Sequence, residues 1–173
     1  MTERSETVSK LDAARRQLEE AIFMVFERRD EIAIHTLAGA ARQVLLDLGK
    51  KVGQESLITD SKFIRPGMMD EVRRLINRPQ NFFKHADRDA EQDFEFFPEA
   101  TPFYILDAVC LYEALAKTKT PPMVVFFVWH CLSFPNHLEE GPLKDQIENH
   151  RELGIDPENR AVFLALARGV LPS

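Results

Sequence analysis

The stretch TPPMVVFFVWHCL, Thr120–Leu132, decides the fold class. A threonine followed by two prolines is a helix start: threonine suits the N-cap, and a proline in the first turn gives up only an N–H that has no intrahelical acceptor. The residues behind it are apolar on every side of a helix, His130 apart, which predicts the central buried helix of an all-helical protein. The run is far too short to cross a bilayer.

The same punctuation recurs outward from this segment. Thr101 and Pro102 predict a helix to about Ala116, Pro142 predicts one through Ile147, and Asp156 with Pro157 predicts a last one that turns Val162, Phe163, Leu166 and Ala167 inward and ends at Gly169. Toward the N-terminus, Leu11, Ala14, Leu18, Ile22 and Val25 recur at helical spacing within Thr7 to Arg28. Asp30 is placed to cap a second helix, whose Ile34, Leu37, Ala38, Ala41, Val44, Leu45 and Leu48 form one face until Gly49 or Gly53, and the two helices predict a hairpin. Within the second, Leu37–Ala41 (LAGAA) carries minimal bulk. Gly39 costs about 1 kcal/mol against alanine in an exposed helix interior, so the pattern predicts close approach by another helix.

Pro66 suits the first turn of a third helix through Val72, Leu75 and Ile76. Pro79 biases Arg78 away from helical geometry, which predicts a break there and a new short helix near Gln80. The polar stretch from Asp87 to Pro102 reads as a surface loop, with Asp93–Phe97 (DFEFF) as a short extended piece. The sum is an all-α, bundle-like chain of about seven helices, a single helical domain over 1–173.

A chain of 173 residues can bury one sizeable core without a second domain. Its formal charge of −6 supplies no cationic field for a phosphate backbone, which disfavours non-specific nucleic-acid binding. Cys110 and Cys131 lie in apolar helical patterns without a CxxC partner and read as small core residues. With no apolar leader at the N-terminus and no membrane span, the expectation is a cytoplasmic protein. HExxH, CxxC pairs and a His-Asp dipeptide are all missing, so no metal is expected. GxGxxG, P-loop and GxSxG motifs are missing too, so no cofactor is expected.

Polar chemistry gathers at Asn81–Asp89, NFFKHADRD. On a helix, Asn81, Lys84, His85 and Arg88 share one stripe, while Phe82, Phe83 and Ala86 point toward other helices. Asp89 stands one turn beyond His85 and could fix its tautomer. His35 lies beside the small-residue patch, and small residues would let His85 approach it. His35, Lys84, His85 and Asp89 therefore form a candidate binding set for a small ligand or a protein partner. The alternative is a packing knot, in which His85 donates to a backbone carbonyl and the charged groups are solvated.

The segments IAIHTLAGAARQVLLDL (Ile32–Leu48) and NFFKHADRD resemble the hallmarks of a family of uncharacterised bacterial all-helical proteins, up to about Cys110. A second resemblance is to the HEPN superfamily, helical-bundle proteins that are often dimeric ribonucleases and carry an arginine shortly before a histidine; Arg78 so precedes His85, with Asn81 between them. That resemblance implies a homodimer and a metal-independent ribonuclease. His85 would be its general acid or base, and Arg78 or Arg88 would stabilise the phosphorane.

Overall fold

Ser9 and Asp30 set the first two helices by accepting backbone N–H groups from Asp12 and Ala33, at 3.1 and 3.0 Å. They open α1 (Lys10–Phe26) and α2 (Glu31–Lys50), joined by a turn in which Arg28 takes a positive φ of 54°. The structure, a computed structural model, describes residues 5–58, 69–87, 90–135, 141–152 and 155–170. Five more helices follow: α3 (Met69–Lys84), α4 (Thr101–Ala116), α5 (Pro121–Ser133), α6 (Pro142–Glu152) and α7 (Arg160–Ala167). A 3₁₀ turn, Pro98–Ala100, leads into α4, and there is no strand among the described residues. The fold is an all-α bundle around one continuous core.

Core burial follows the helical period. Ala14, Leu18, Ala21, Ile22, Val25 and Phe26 of α1 are buried, facing Ile34, Ala38, Ala41 and Leu45 of α2. From α5, Met123, Phe126 and Trp129 enter the same core, where Phe26, Phe126, Trp129 and Phe163 interlock with ring centroids 5.3–6.3 Å apart. The expected all-round burial of α5 is not reached: Val124 and Val128, one turn apart, are 47% and 42% exposed. Apolarity on every side shows that a helix can be enclosed but not which side lacks a neighbour.

Two other expectations change. Pro79 lies inside α3 and does not break it. A proline there removes one helical N–H and crowds the carbonyls a turn before it. The Ile76 carbonyl, three residues before Pro79, accepts a hydrogen bond from the Tyr104 hydroxyl of α4. Pro66, the expected start of the third helix, lies outside the described residues. Thr101, expected to cap α4, is instead its first helical residue, with Ala100 at the cap position, and its Oγ1 is 3.1 Å from Nδ1 of His35.

The α2–α4 contact is held by a buried ion pair. Arg42 Nε donates to Asp107 Oδ2 at 2.6 Å, with the two side chains 4% and 1% exposed. Asp107 also accepts from Ser56 Oγ and from the Leu57 N–H, both at 2.7 Å, while Arg42 donates a second bond to Ser56 Oγ at 3.1 Å. With His35 opposite Thr101 and Arg42 opposite Asp107, sequence advances in the same direction on both helices, so α2 and α4 run parallel. Seven and six residues of helix span about 10 Å, which keeps the two contacts in register.

Asp107→Ala should cost about 3–5 kcal/mol in urea unfolding, since it leaves the Arg42 guanidinium buried without a countercharge. The double variant Arg42→Met/Asp107→Leu should recover most of that loss. An Asp107→Ala protein as stable as the parent would remove the pair from the framework.

Candidate functional site

Six rings converge where α2, α3, α4 and the irregular segment 90–97 meet. His35 is 1% exposed, and its imidazole packs against Tyr104, Phe96 and Phe83 at centroid distances of 4.7, 5.2 and 5.9 Å. Phe94 stacks on Phe82 at 5.1 Å, and Phe83 meets Phe96 edge-on at 5.2 Å. The polar stretch read as a surface loop thus contributes two phenylalanines to this cluster. Phe94 and Phe96 are partly buried, with exposed Asp93 and Glu95 alternating between them, the pattern of an extended segment with one face against a core.

Beside this cluster opens a cleft of about 810 Å³. Its walls include His35, Ile76, Phe94, Phe96, Phe103 and Tyr104, with Arg78 and Asp93 among its polar residues. The Arg78 guanidinium lies 5.2 Å from the Phe94 ring centroid, a cation–π arrangement. His35 Nε2 is buried and has no hydrogen-bond partner. Burial, and secondarily the charge of Lys84, pushes the His35 pKa from its usual 6.5 down to about 4, so the ring is neutral at physiological pH. Burial also pushes the Tyr104 phenol up to about 12, keeping it a proton donor to the Ile76 carbonyl.

The close approach expected at Gly39 occurs, and Gln80 makes it. A Cβ on Gly39 would stand 1.5 Å from Gln80 Nε2. That amide donates to the carbonyls of Thr36 and His35 at 3.1 and 3.4 Å, and Gln80 Oε1 accepts from Lys84 Nζ at 2.6 Å. Lys84 is thereby tied through Gln80 to the backbone beside His35. The α3 side chain against the imidazole is Phe83. His85 is exposed just beyond the end of α3, its N–H bonded to the Asn81 carbonyl at 3.1 Å, and Asn81 is exposed as well. Neither His85 nor Asn81 lines the cleft among its described walls. Arg88 and Asp89 lie outside the described residues.

Sequence reading missed Arg42, Asp107, Tyr104 and Gln80. The first two carried a signal: Arg42 continues the stripe of His35, Ala38 and Leu45, and Asp107 sits between Tyr104 and Leu111, so each is a charge on an inward face. His130 is a core residue, its ring 4.8 and 5.0 Å from those of Phe134 and Phe103. Cys110 is partly buried, and burial first, then the Asp107 charge, pushes its thiol up to about 11, which suits an inert packing residue. Among the described residues no group of three or more His, Cys, Asp or Glu is placed to hold a metal ion, and no helix is long and apolar enough to cross a membrane. No family model, curated protein or solved structure matches the chain.

Two predictions follow from this geometry. The folded chain favours neutral His35, so between pH 6.5 and about 4 the unfolded chain binds the proton more readily. The stabilisation is complete above that window and lost as pH falls through it. Urea unfolding across the window should show the parent losing up to about 3 kcal/mol relative to His35→Gln; parallel curves would show that the buried imidazole does not carry this linkage. At the crossing, Gly39→Leu should cost about 1–3 kcal/mol through overpacking. Gly39→Ala should cost less in a Gln80→Ala background than alone, because the amide it displaces is already gone. Additive losses in that cycle would mean that Gln80 is not what occupies the space over Gly39.

Proposed function

We propose that this chain is a helical binding module whose aromatic cleft takes a small, largely apolar molecule carrying one group that hydrogen-bonds to His35. The observation that carries the reading is the cleft of about 810 Å³ with the neutral, unpartnered Nε2 of His35 in its wall. That volume lies within the usual range for small-molecule sites, and a mostly apolar lining with few polar groups is their usual composition. A buried nitrogen with no partner is costly, and an occupant that parts the Phe96 ring from the imidazole would supply the missing bond. Phe96 belongs to the irregular segment, which lacks a helical ladder to hold it in place. Arg78 would offer a positive charge to an acidic substituent, and Lys84, tied to Gln80, supports the backbone under His35.

The ribonuclease reading rests on one observation: Arg78 on α3 and His85 just past its end are both exposed. It would need a second copy of the chain to complete its site, with Asn81 and Arg88 beside His85.

Titration with 1-anilinonaphthalene-8-sulfonate, an apolar anionic fluorophore, separates the two readings. The parent should show saturable one-site binding. Ala100→Trp, at an exposed cleft-wall position, should weaken it about tenfold or more with little change in melting temperature. His85→Asn should bind as the parent does. Binding indifferent to Ala100→Trp would defeat the cleft reading, and cleavage of single-stranded RNA by the parent that His85→Asn abolishes would establish the ribonuclease.

A further inference from the structure

A second cleft, of about 360 Å³, opens where the starts of α2 and α7 and the end of α5 meet the 3₁₀ turn. Arg160, the first residue of α7, is half-buried in its wall. The guanidinium lies 5.2 Å from the Trp129 ring centroid and donates through Nη1 to the Val25 carbonyl at 3.0 Å. It makes no contact ion pair among the described residues; Glu158, the nearest acidic residue in sequence, pairs with Arg28 at 3.3 Å instead. Arg160 Nε is buried without a hydrogen-bond partner, and so is Ser133 Oγ, in the same cleft.

The opposite charge is present and equally uncommitted. Glu31 and Glu99 both line the cleft, and neither makes a contact ion pair among the described residues. Burial first raises the Glu31 pKa, with Arg160 lowering it and Asp30 and Glu99 raising it further, so Glu31 and Arg160 feel each other's charge across the cleft without touching. A half-buried guanidinium is costly to leave unpaired. The space between Glu31 and Arg160 is open, and its remaining walls, Val25, Pro102, Leu132 and Trp129 among them, are apolar.

We propose that this cleft is a binding site for a free α-amino acid with an apolar side chain. The carboxylate would meet Arg160 and Ser133, the ammonium would meet Glu31 and Glu99, and the side chain would lie against Val25, Leu132 and Trp129. A simple anion fits poorly, because Glu31, Glu99 and Glu158 all line the cleft; a simple cation fits poorly, because Arg160 lies within electrostatic reach of Glu31 and Glu158. A zwitterion answers both charges at once. Its volume suits a cleft at the lower end of the small-molecule range. The site is separate from the aromatic cleft and does not depend on that reading.

Trp129 is the single tryptophan of the chain, so the protein carries its own reporter under Arg160. L-Leucine titrated into the full-length protein should change Trp129 fluorescence saturably. N-acetyl-L-leucine, which lacks the ammonium, and L-leucinamide, which lacks the carboxylate, should each bind about tenfold or more weakly, the usual loss when a charge-assisted hydrogen bond is removed. Glu31→Gln should erase the preference for L-leucine over its N-acetyl form, and Arg160→Gln the preference over the amide. Arg160 also braces Val25 and Trp129, so Arg160→Gln can lower stability; Glu31→Gln, at an exposed residue, tests the charge pattern on an intact fold. No saturable change with L-leucine, or equal binding of L-leucine and both blocked forms, would overturn the assignment. Binding of acetate as tight as that of L-leucine and indifferent to Glu31→Gln would overturn it too, leaving a plain anion site.

Discussion

Arg42 and Asp107 are charges with almost no access to water, and the rest of the architecture is arranged so that both can stay there. Removing two such ions from solvent costs several kcal/mol each, which their attraction offsets only when the other donors and lone pairs are also used. Ser56 and Leu57 complete the set around Asp107, which draws the chain after α2 back over the α2–α4 junction. The guanidinium then lies 5.4 Å from the Tyr104 ring centroid, and the Tyr104 hydroxyl reaches the Ile76 carbonyl of α3. Three helices and a loop are thus tied to one buried pair. Apolar packing at the same positions could give comparable stability but would not fix which residue of α4 stands opposite which residue of α2.

That fixed register sets the surroundings of His35. Two turns before Arg42 on the parallel pair, His35 meets Thr101, and the imidazole is held with one nitrogen committed and the other unpartnered. From the other side, Gln80 enters the space over Gly39 and bonds to the α2 carbonyls, setting the depth at which Phe83 touches the ring. The glycine lost helix propensity and gained a hydrogen-bonded crossing in return. Neutral His35 is consistent with this enclosure, since a protonated ring there would be a third buried charge with Lys84 as a like-charged neighbour.

Local signals in the sequence were reliable where local physics decided the outcome. Asp30 caps α2, the apolar spacing of α1 and α2 marks their buried faces, and Gly39 announces a close neighbour. Reading failed where a side chain was claimed by a distant partner. Thr101 has the form of a cap, yet its hydroxyl is taken by His35, 66 residues earlier in the chain. Pro79 has the form of a break, yet it lies inside α3, and the Ile76 carbonyl three residues before it is bonded by Tyr104, 28 residues later than Ile76. Of the polar stretch at Asn81–Asp89, Phe83 rather than His85 reaches the imidazole. Single charges on the inward faces of α2 and α4 were legible as anomalies, but nothing local says that Arg42 and Asp107, 65 residues apart, answer each other.

The short segment from Pro98 to Tyr104 separates the two clefts. Ala100, Phe103 and Tyr104 face the aromatic cleft, while Pro98, Glu99, Thr101 and Pro102 line the smaller one. The division follows from helical geometry: residues three and four apart share a side, so a 3₁₀ turn running into α4 shows alternate faces to the two spaces. Thr101 lines the smaller cleft, and its hydroxyl holds His35, a wall residue of the larger one. A ligand that moved Thr101 from the smaller cleft would also act on its bond to His35. Any coupling between the clefts is reciprocal by thermodynamic linkage, and this segment is the contiguous structure through which it would pass.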